Sequence, residues 1–147
     1  MKKLIPPYLL FVSILLIIIL HLLLPVLFIV TRPWNYAGVV LIILGLIIAK
    51  IVSKSFDKAK TEIHTFKTPK QMVTSGLFQY SRNPIYLGFT IVLIGLNVLL
   101  GSLTPFLILI LFVVITDQWY IPFEEKNMED QFGDQYRHYR KQVRRWV

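Results

Sequence analysis

Four long apolar stretches decide what this chain can become: residues 7–30, 34–52, 84–100 and 104–121, with the charged residues gathered mostly between and after them. A helix rises about 1.5 Å per residue, so crossing the hydrocarbon of a bilayer takes about 20 apolar residues. Total hydrophobicity, at 55% of 147 residues, is only slightly above that of an ordinary soluble domain. The block arrangement carries the argument. Lys2 and Lys3 ahead of the first stretch imitate a secretory signal, but the run is too long and lacks a small-residue cleavage site, so it reads as a span. The last two stretches flank Gly101, Ser102, Leu103, Thr104 and Pro105. That is a turn, with Pro105 suited to a first helical position, and it predicts a tight helical hairpin.

Lysine and arginine set the orientation. Lys2 and Lys3 precede the first span and Arg32 alone follows it. Lys50, Lys54, Lys58, Lys60, Lys67, Lys70 and Arg82 lie at or between the second and third spans, and Lys126, Arg137, Arg140, Lys141, Arg144 and Arg145 follow the fourth. With four spans, all but Arg32 fall on one side, which the positive-inside rule makes cytoplasmic. Both termini are then inside, as in a bacterial or archaeal cytoplasmic membrane. The net charge of +8 thus reads as a surface for anionic membrane lipids, with no nucleic acid as partner. The chain has no cysteine, and His21, His64 and His138 are scattered, so no metal site is expected.

Gly38 and Gly45 share one face of the second span, and Gly88 and Gly95 one face of the third. This is the spacing that lets helix backbones approach closely in lipid. Asn97 and His21 are expected to hydrogen-bond between helices. The cytoplasmic loop 53–83 cannot be one helix, because Pro69 and Gly76 interrupt it, and Phe78 and Tyr80 suit an ordered, membrane-hugging course. In the tail, 122–147, Met128, Phe132, Tyr136, Tyr139 and Val143 recur at three- and four-residue steps. Gly133 should divide it, Asp134 can cap the second part, and Trp146 suits an interfacial anchor. The expected fold is one all-α integral membrane domain of four transmembrane helices, followed by C-terminal amphipathic interfacial helices.

Two segments have the residues for chemistry. In the run from Tyr80 to Gly88, Pro84 begins a helix that Ser81 or Asn83 can cap. The free N–H groups of that helix end favour an anion, and Arg82 adds a fork that matches a carboxylate. Tyr86 lies one turn further in. By itself this pattern also fits a plain span start with a snorkelling arginine. The second segment, Trp119 to Glu125, puts Glu124 and Glu125 together at the end of the fourth span. Acids there oppose the helix dipole unless a new helix starts at Pro122, in which case they are ordinary first-turn residues. The arms of the hairpin are nearly equal, roughly 25 Å each, so Arg82 and Glu124 should return to one depth, walled by Tyr80, Tyr86, Trp119 and Tyr120. A zwitterion fits such a place, its carboxylate on Arg82, its ammonium or hydroxyls on the glutamates, and a cationic centre on aromatic faces. S-adenosylmethionine has these parts, and so does an amino acid or a lipid headgroup.

Taken in order, these motifs resemble a family. Thr74-Ser75-Gly76, then Tyr80 to Gly88, then Pro122-Phe123-Glu124-Glu125, then Phe132 to Arg140, and finally Val143-Arg144-Arg145-Trp146 are similar to the isoprenylcysteine carboxyl methyltransferases and the related phospholipid N-methyltransferases. The resemblance spans about residues 66–146. It implies a membrane enzyme that uses S-adenosylmethionine on a lipophilic acceptor, with the cofactor at the cytoplasmic end of the last two spans under the C-terminal helices. It implies Arg82, Glu124 and Glu125 as catalytic, and Gly76, Tyr80, Arg82, Asn83, Pro84, Tyr86, Gly88, Glu124 and Glu125 as cofactor-binding. Asn83 stands where the family's Arg-His-Pro-x-Tyr motif has histidine; it can replace a donor but not a base. The acceptor class left open is a carboxylate of an isoprenylcysteine-like group or an amine of a lipid. The competing readings are a non-enzymatic membrane scaffold and a lipid reductase.

Overall fold

The structure is a computed structural model that describes residues 6–59 and 71–147. Apart from an isolated bridge between Phe28 and Ser102, the described residues form helices, turns and loops. Helix α1, Pro6–Leu23, ends well short of the expected residue 30. Pro25 is the reason, since it has no N–H for the helix and biases the residue before it away from helical backbone. The chain then crosses the tip of the 101–104 turn as an irregular segment, with Leu27 at φ 48°. Ile29 N–H donates to Gly101 O at 2.8 Å, Leu103 N–H to Leu27 O at 3.0 Å, and Thr104 Oγ1 to Leu24 O at 2.7 Å. His21 bonds Ser102 Oγ at 2.7 Å, so its bond runs from α1 to the hairpin turn and not, as expected, to another helix.

A short 3-10 turn, Trp34–Tyr36, leads into α2, Ala37–Lys58. The helix outlasts its apolar stretch at residue 52, because nothing in the following residues breaks it. Helix α3 is Pro84–Leu100, as expected, and ends on Gly101 in the left-handed conformation at φ 77°. Asn97 departs from expectation. Its amide folds back on its own helix to Leu93 O at 2.8 Å, leaving Oδ1 buried without a hydrogen-bond partner among the described residues.

Helices α2 and α3 touch backbone to backbone. A Cβ on Gly38 would lie 2.3 Å from Gly95 O, and one on Gly45 would lie 2.5 Å from Gly88 O. Of the reciprocal contacts, that from Gly95 to Gly38 O is similarly tight at 2.6 Å, and that from Gly88 to Gly45 O is somewhat looser at 3.0 Å. At Gly38, Gly45 and Gly95 a larger residue would force the helices apart, which is how glycine at heptad spacing acts between helices in lipid.

The fourth apolar stretch differs most from expectation. Helix α4, Phe106–Ile115, passes through a π-helical turn, Thr116–Tyr120, directly into α5, Ile121–Phe132. Pro105 precedes the first helical residue instead of occupying it. Ile121 N–H donates to Thr116 O, five residues back. The wider turn lets Pro122, which has no N–H to give, sit inside a continuous rod. Glu124 and Glu125 are therefore mid-helix, and the anticipated conflict with a helix end does not arise. The rods Pro6–Leu23, Trp34–Lys58 and Phe106–Phe132 are long and apolar enough to cross a membrane, and α3, at 17 residues, is shorter. Ile17, Phe89, Leu93, Leu109 and Phe112 join α1, α3 and α4 in one core, while α1 and α2 turn large apolar side chains outward.

Gly133, at φ 50°, separates α5 from α6, Asp134–Gln142. Asp134 is the first helical residue and pairs with Arg137 rather than capping the helix. Helix α6 buries Tyr136 and Tyr139. The expected break at Pro69 lies outside the described residues. That at Gly76 is present, at φ 65°, and opens a 3-10 turn, Gly76–Gln79, whose buried Phe78 meets Phe56 of α2 edge to face at 5.5 Å.

Candidate functional site

The hairpin of α3 and α4–α5 brings the basic start of one arm against the acidic stretch of the other. Arg82 Nη2 donates to Glu125 Oε1 at 2.7 Å, and the two side chains are only 9% and 8% exposed. Beside them Tyr86 donates its phenol to Glu124 Oε1 at 2.9 Å, and its ring lies 6.4 Å from that of Tyr120. Arg82, Asn83, Pro84, Tyr86, Glu124 and Glu125 thus form one cluster.

The tail closes over it. Arg82 Nη1 donates to Val143 O at 2.8 Å and Arg140 O at 3.0 Å, and Arg82 N–H donates to Arg144 O at 3.0 Å. Asn83 Nδ2 donates to Arg145 O at 3.0 Å, and Ser81 Oγ accepts from Asn83 N–H at 3.1 Å. Helix α3 has no side-chain cap, although Asn83 occupies the capping position. The clasp expected from the sequence therefore has a different wiring. Arg82 and Glu125 face each other, and the arginine's Nη1 is given to carbonyls at the end of α6. Arg82 Nε remains buried with no hydrogen-bond partner among the described residues.

Glu125 also binds Arg145, with Nη2 to Oε2 at 2.9 Å. Arg145 reaches on to Asp117 Oδ1 at 3.4 Å, where the Trp146 indole donates at 2.9 Å. Arg82, Glu125, Arg145 and Asp117 make a charge-balanced quartet. Under it, burial pushes the Tyr136 phenol up to about 12, with the Glu125 charge adding to the effect. Burial likewise pushes Tyr139 up to about 12; its hydroxyl donates to Phe78 O at 2.6 Å and so ties α6 to the turn before α3.

Several candidates stand apart from the cluster. Tyr80 is 71% exposed and Trp119 74%, so neither walls the site. Gly88 faces α2. Gly76 lines a separate open cleft of about 440 Å³ with Ser55, Lys58 and Met72 to Ser75. The sequence reading gave no role to Asp117, and assigned Arg145 and Trp146 to the membrane surface. An acid inside an apolar helix was the available signal, since such a group needs a partner. No group of three or more metal-ligating side chains occurs among the described residues.

This geometry sits inside a recognisable sequence pattern. The chain is 37% identical to the protein-S-isoprenylcysteine O-methyltransferase of Schizosaccharomyces pombe over 75 residues, 49% of this chain and 30% of that one. It is 31% identical to the protein-S-isoprenylcysteine O-methyltransferase B of Arabidopsis thaliana over 111 residues, 72% of this chain and 55% of the relative. An uncharacterized Haemophilus influenzae protein matches over its whole length, at 36% identity across 63 residues. The chain thus spans less than two thirds of the named methyltransferases it resembles. Residues 34–135 match the phospholipid methyltransferase family, and the chain belongs to that family.

Proposed function

We propose that the chain is an S-adenosylmethionine-dependent methyltransferase acting on a lipophilic acceptor at the cytoplasmic membrane face. The observation that carries this is the cluster of Arg82, Tyr86, Glu124 and Glu125, drawn together at one end of a hairpin and covered by the tail. Four spans with both termini cytoplasmic put that end, with nearly all the lysine and arginine, on the inner face. Helix α5 then carries the fourth rod out of the bilayer, and α6, beyond Gly133, lies at the interface with its basic residues toward the headgroups.

The residues suit the cofactor. Arg82 has a buried donor still unspent at Nε, and Glu124, Tyr86 and Tyr120 supply an acidic and aromatic surface for a cationic group. When bound, the cofactor supplies a methyl group on a sulfonium, already activated for in-line attack. The protein's task is then mainly alignment and exclusion of water. Arg82 and Asn83 would hold the cofactor's polar end, with Glu124 and Tyr86 beside it. Asn83 has no titratable nitrogen, and its amide is engaged with the tail, so it holds position rather than moving a proton. A carboxylate acceptor needs no base, and this agrees with the O-methyltransferase names of the fission-yeast and plant relatives. An amine acceptor would need Glu124 or Glu125 to take its proton.

Incubation of the purified chain with methyl-labelled cofactor and a membrane extract tests the reading. A labelled, lipid-soluble product is expected, base-labile if the acceptor is a carboxylate and base-stable if it is an amine. An extract that stays unlabelled, with a protein that fails to bind S-adenosylhomocysteine, would support the scaffold reading.

A further inference from the structure

Asp117 is an acid within an apolar rod, at the point where α4 enters the π-turn. Its Oδ1 takes its partners from the far end of the chain, the Trp146 indole at 2.9 Å and the Arg145 guanidinium at 3.4 Å, while the neighbouring Gln118 amide donates to Oδ2 at 3.1 Å. The strap so held, residues 143–146, contributes backbone carbonyls to the site. Val143 O and Arg144 O accept from Arg82, and Arg145 O accepts from Asn83. A carbonyl carries no side chain to choose its own place, so the strap must be fixed by other means. Arg145 and Trp146 do this, and both end on the same rod, at Glu125 and Asp117.

The π-turn makes this possible. At about 100° per residue, position 125 of a regular helix would lie roughly 80° around the axis from position 117. A π-turn absorbs one extra residue, and the offset falls to roughly 20°. Both acids then face the tail.

We propose that Asp117 is a positioning residue, which from inside the π-turn pins the strap 143–146 so that its carbonyls hold Arg82 and Asn83 in place for the cofactor. The purpose rests on the cofactor reading above; the latch itself does not.

The chain has no cysteine, so Arg144→Cys, at an exposed position in the strap, takes a single nitroxide label in the whole 147-residue chain. The label is expected to be restricted in the parent, mobile in Asp117→Ala, and restricted again in Asp117→Glu, which keeps the acid. Trp146→Phe breaks the same bond from the tail side, without touching the span, and is expected to mobilise the label too. Affinity for S-adenosylhomocysteine should fall roughly tenfold in Asp117→Ala, the loss of one charge-assisted hydrogen bond. In a background of Trp146→Phe with Arg145→Met, Asp117→Ala should add nothing, because it acts through those residues. A label equally restricted in Asp117→Ala and Trp146→Phe overturns the latch, and an additive loss of affinity overturns its positioning role. A parent that binds no S-adenosylhomocysteine, but whose label is freed by Asp117→Ala, overturns the cofactor reading and leaves the latch standing.

Discussion

Two of the contacts made at helix α3 are of opposite character. Along its length, Gly88 and Gly95 meet α2 so closely that a single methyl group would strike backbone. At its start, Arg82 and Asn83 are held by directed hydrogen bonds to a glutamate and to the carbonyls of a strap about sixty residues away in sequence. The first contact depends on shape and admits nothing larger than glycine. The second depends on charge and direction, and can be loosened one bond at a time. A chain built this way has a rigid frame in the membrane and a polar end whose order depends on its tail.

Substitutions can sharpen or break that contrast. Arg82→Ala should have the largest effect on stability. It removes one partner of a buried ion pair and takes the guanidinium donor away from the carbonyls of Arg140 and Val143. Breaking such a pair costs about 3 kcal/mol, toward the low end of the usual range because Arg145 still holds Glu125. Reversible unfolding in detergent would measure it, and a loss no larger than that of an exposed substitution would mean the pair holds nothing. Gly45→Ala comes next, at about 1–3 kcal/mol, the range for forcing an extra methyl into a packed contact. Unlike Arg82→Ala, it should lower thermal stability without changing the mobility of a strap label. A freed strap would show that frame and polar end are one unit.

Tyr139→Phe should cost about 1 kcal/mol, for the buried bond to Phe78 O. It also changes the pH response. The Tyr136 and Tyr139 phenols ionise near 12 in the fold and near 10 when exposed, so deprotonation favours the unfolded chain. Their stabilising effect is full below pH 10 and is lost as pH rises through about 12. Alkaline unfolding curves of Tyr139→Phe should fall less steeply in that window than those of the parent, and identical slopes would mean Tyr139 is not buried as described.

The frame was legible in the sequence and much of the wiring at its polar end was not, for a physical reason. Glycine at heptad spacing and long apolar stretches are local patterns, and they located α3 and marked the glycine faces of α2 and α3 as packing surfaces; that the two faces pack on each other came from the structure. Equal hairpin arms were enough to bring Arg82 to the glutamates. Pro25 was in plain view as a breaker, yet hydrophobicity alone carried the first span past it. The π-turn has no comparable local signature, so Pro122 read as a helix start. The partners of Arg82 in the strap are backbone carbonyls, which any residue provides, and no sequence pattern marks them. Asp117 was the exception: an acid in an apolar helix is visible in one dimension, although its partners are not.

The central claim is that the cluster at the start of α3 binds S-adenosylmethionine, and a titration of S-adenosylhomocysteine into the purified chain tests it most directly. The parent should bind, and Glu124→Gln should bind roughly ten- to a hundred-fold more weakly, as the loss of a charge-assisted hydrogen bond to a buried ligand requires. Lys141→Ala, on the exposed side of α6, should match the parent. Equal affinity in all three proteins would put the cofactor elsewhere, and no binding by a monodisperse parent would contradict the methyltransferase account itself.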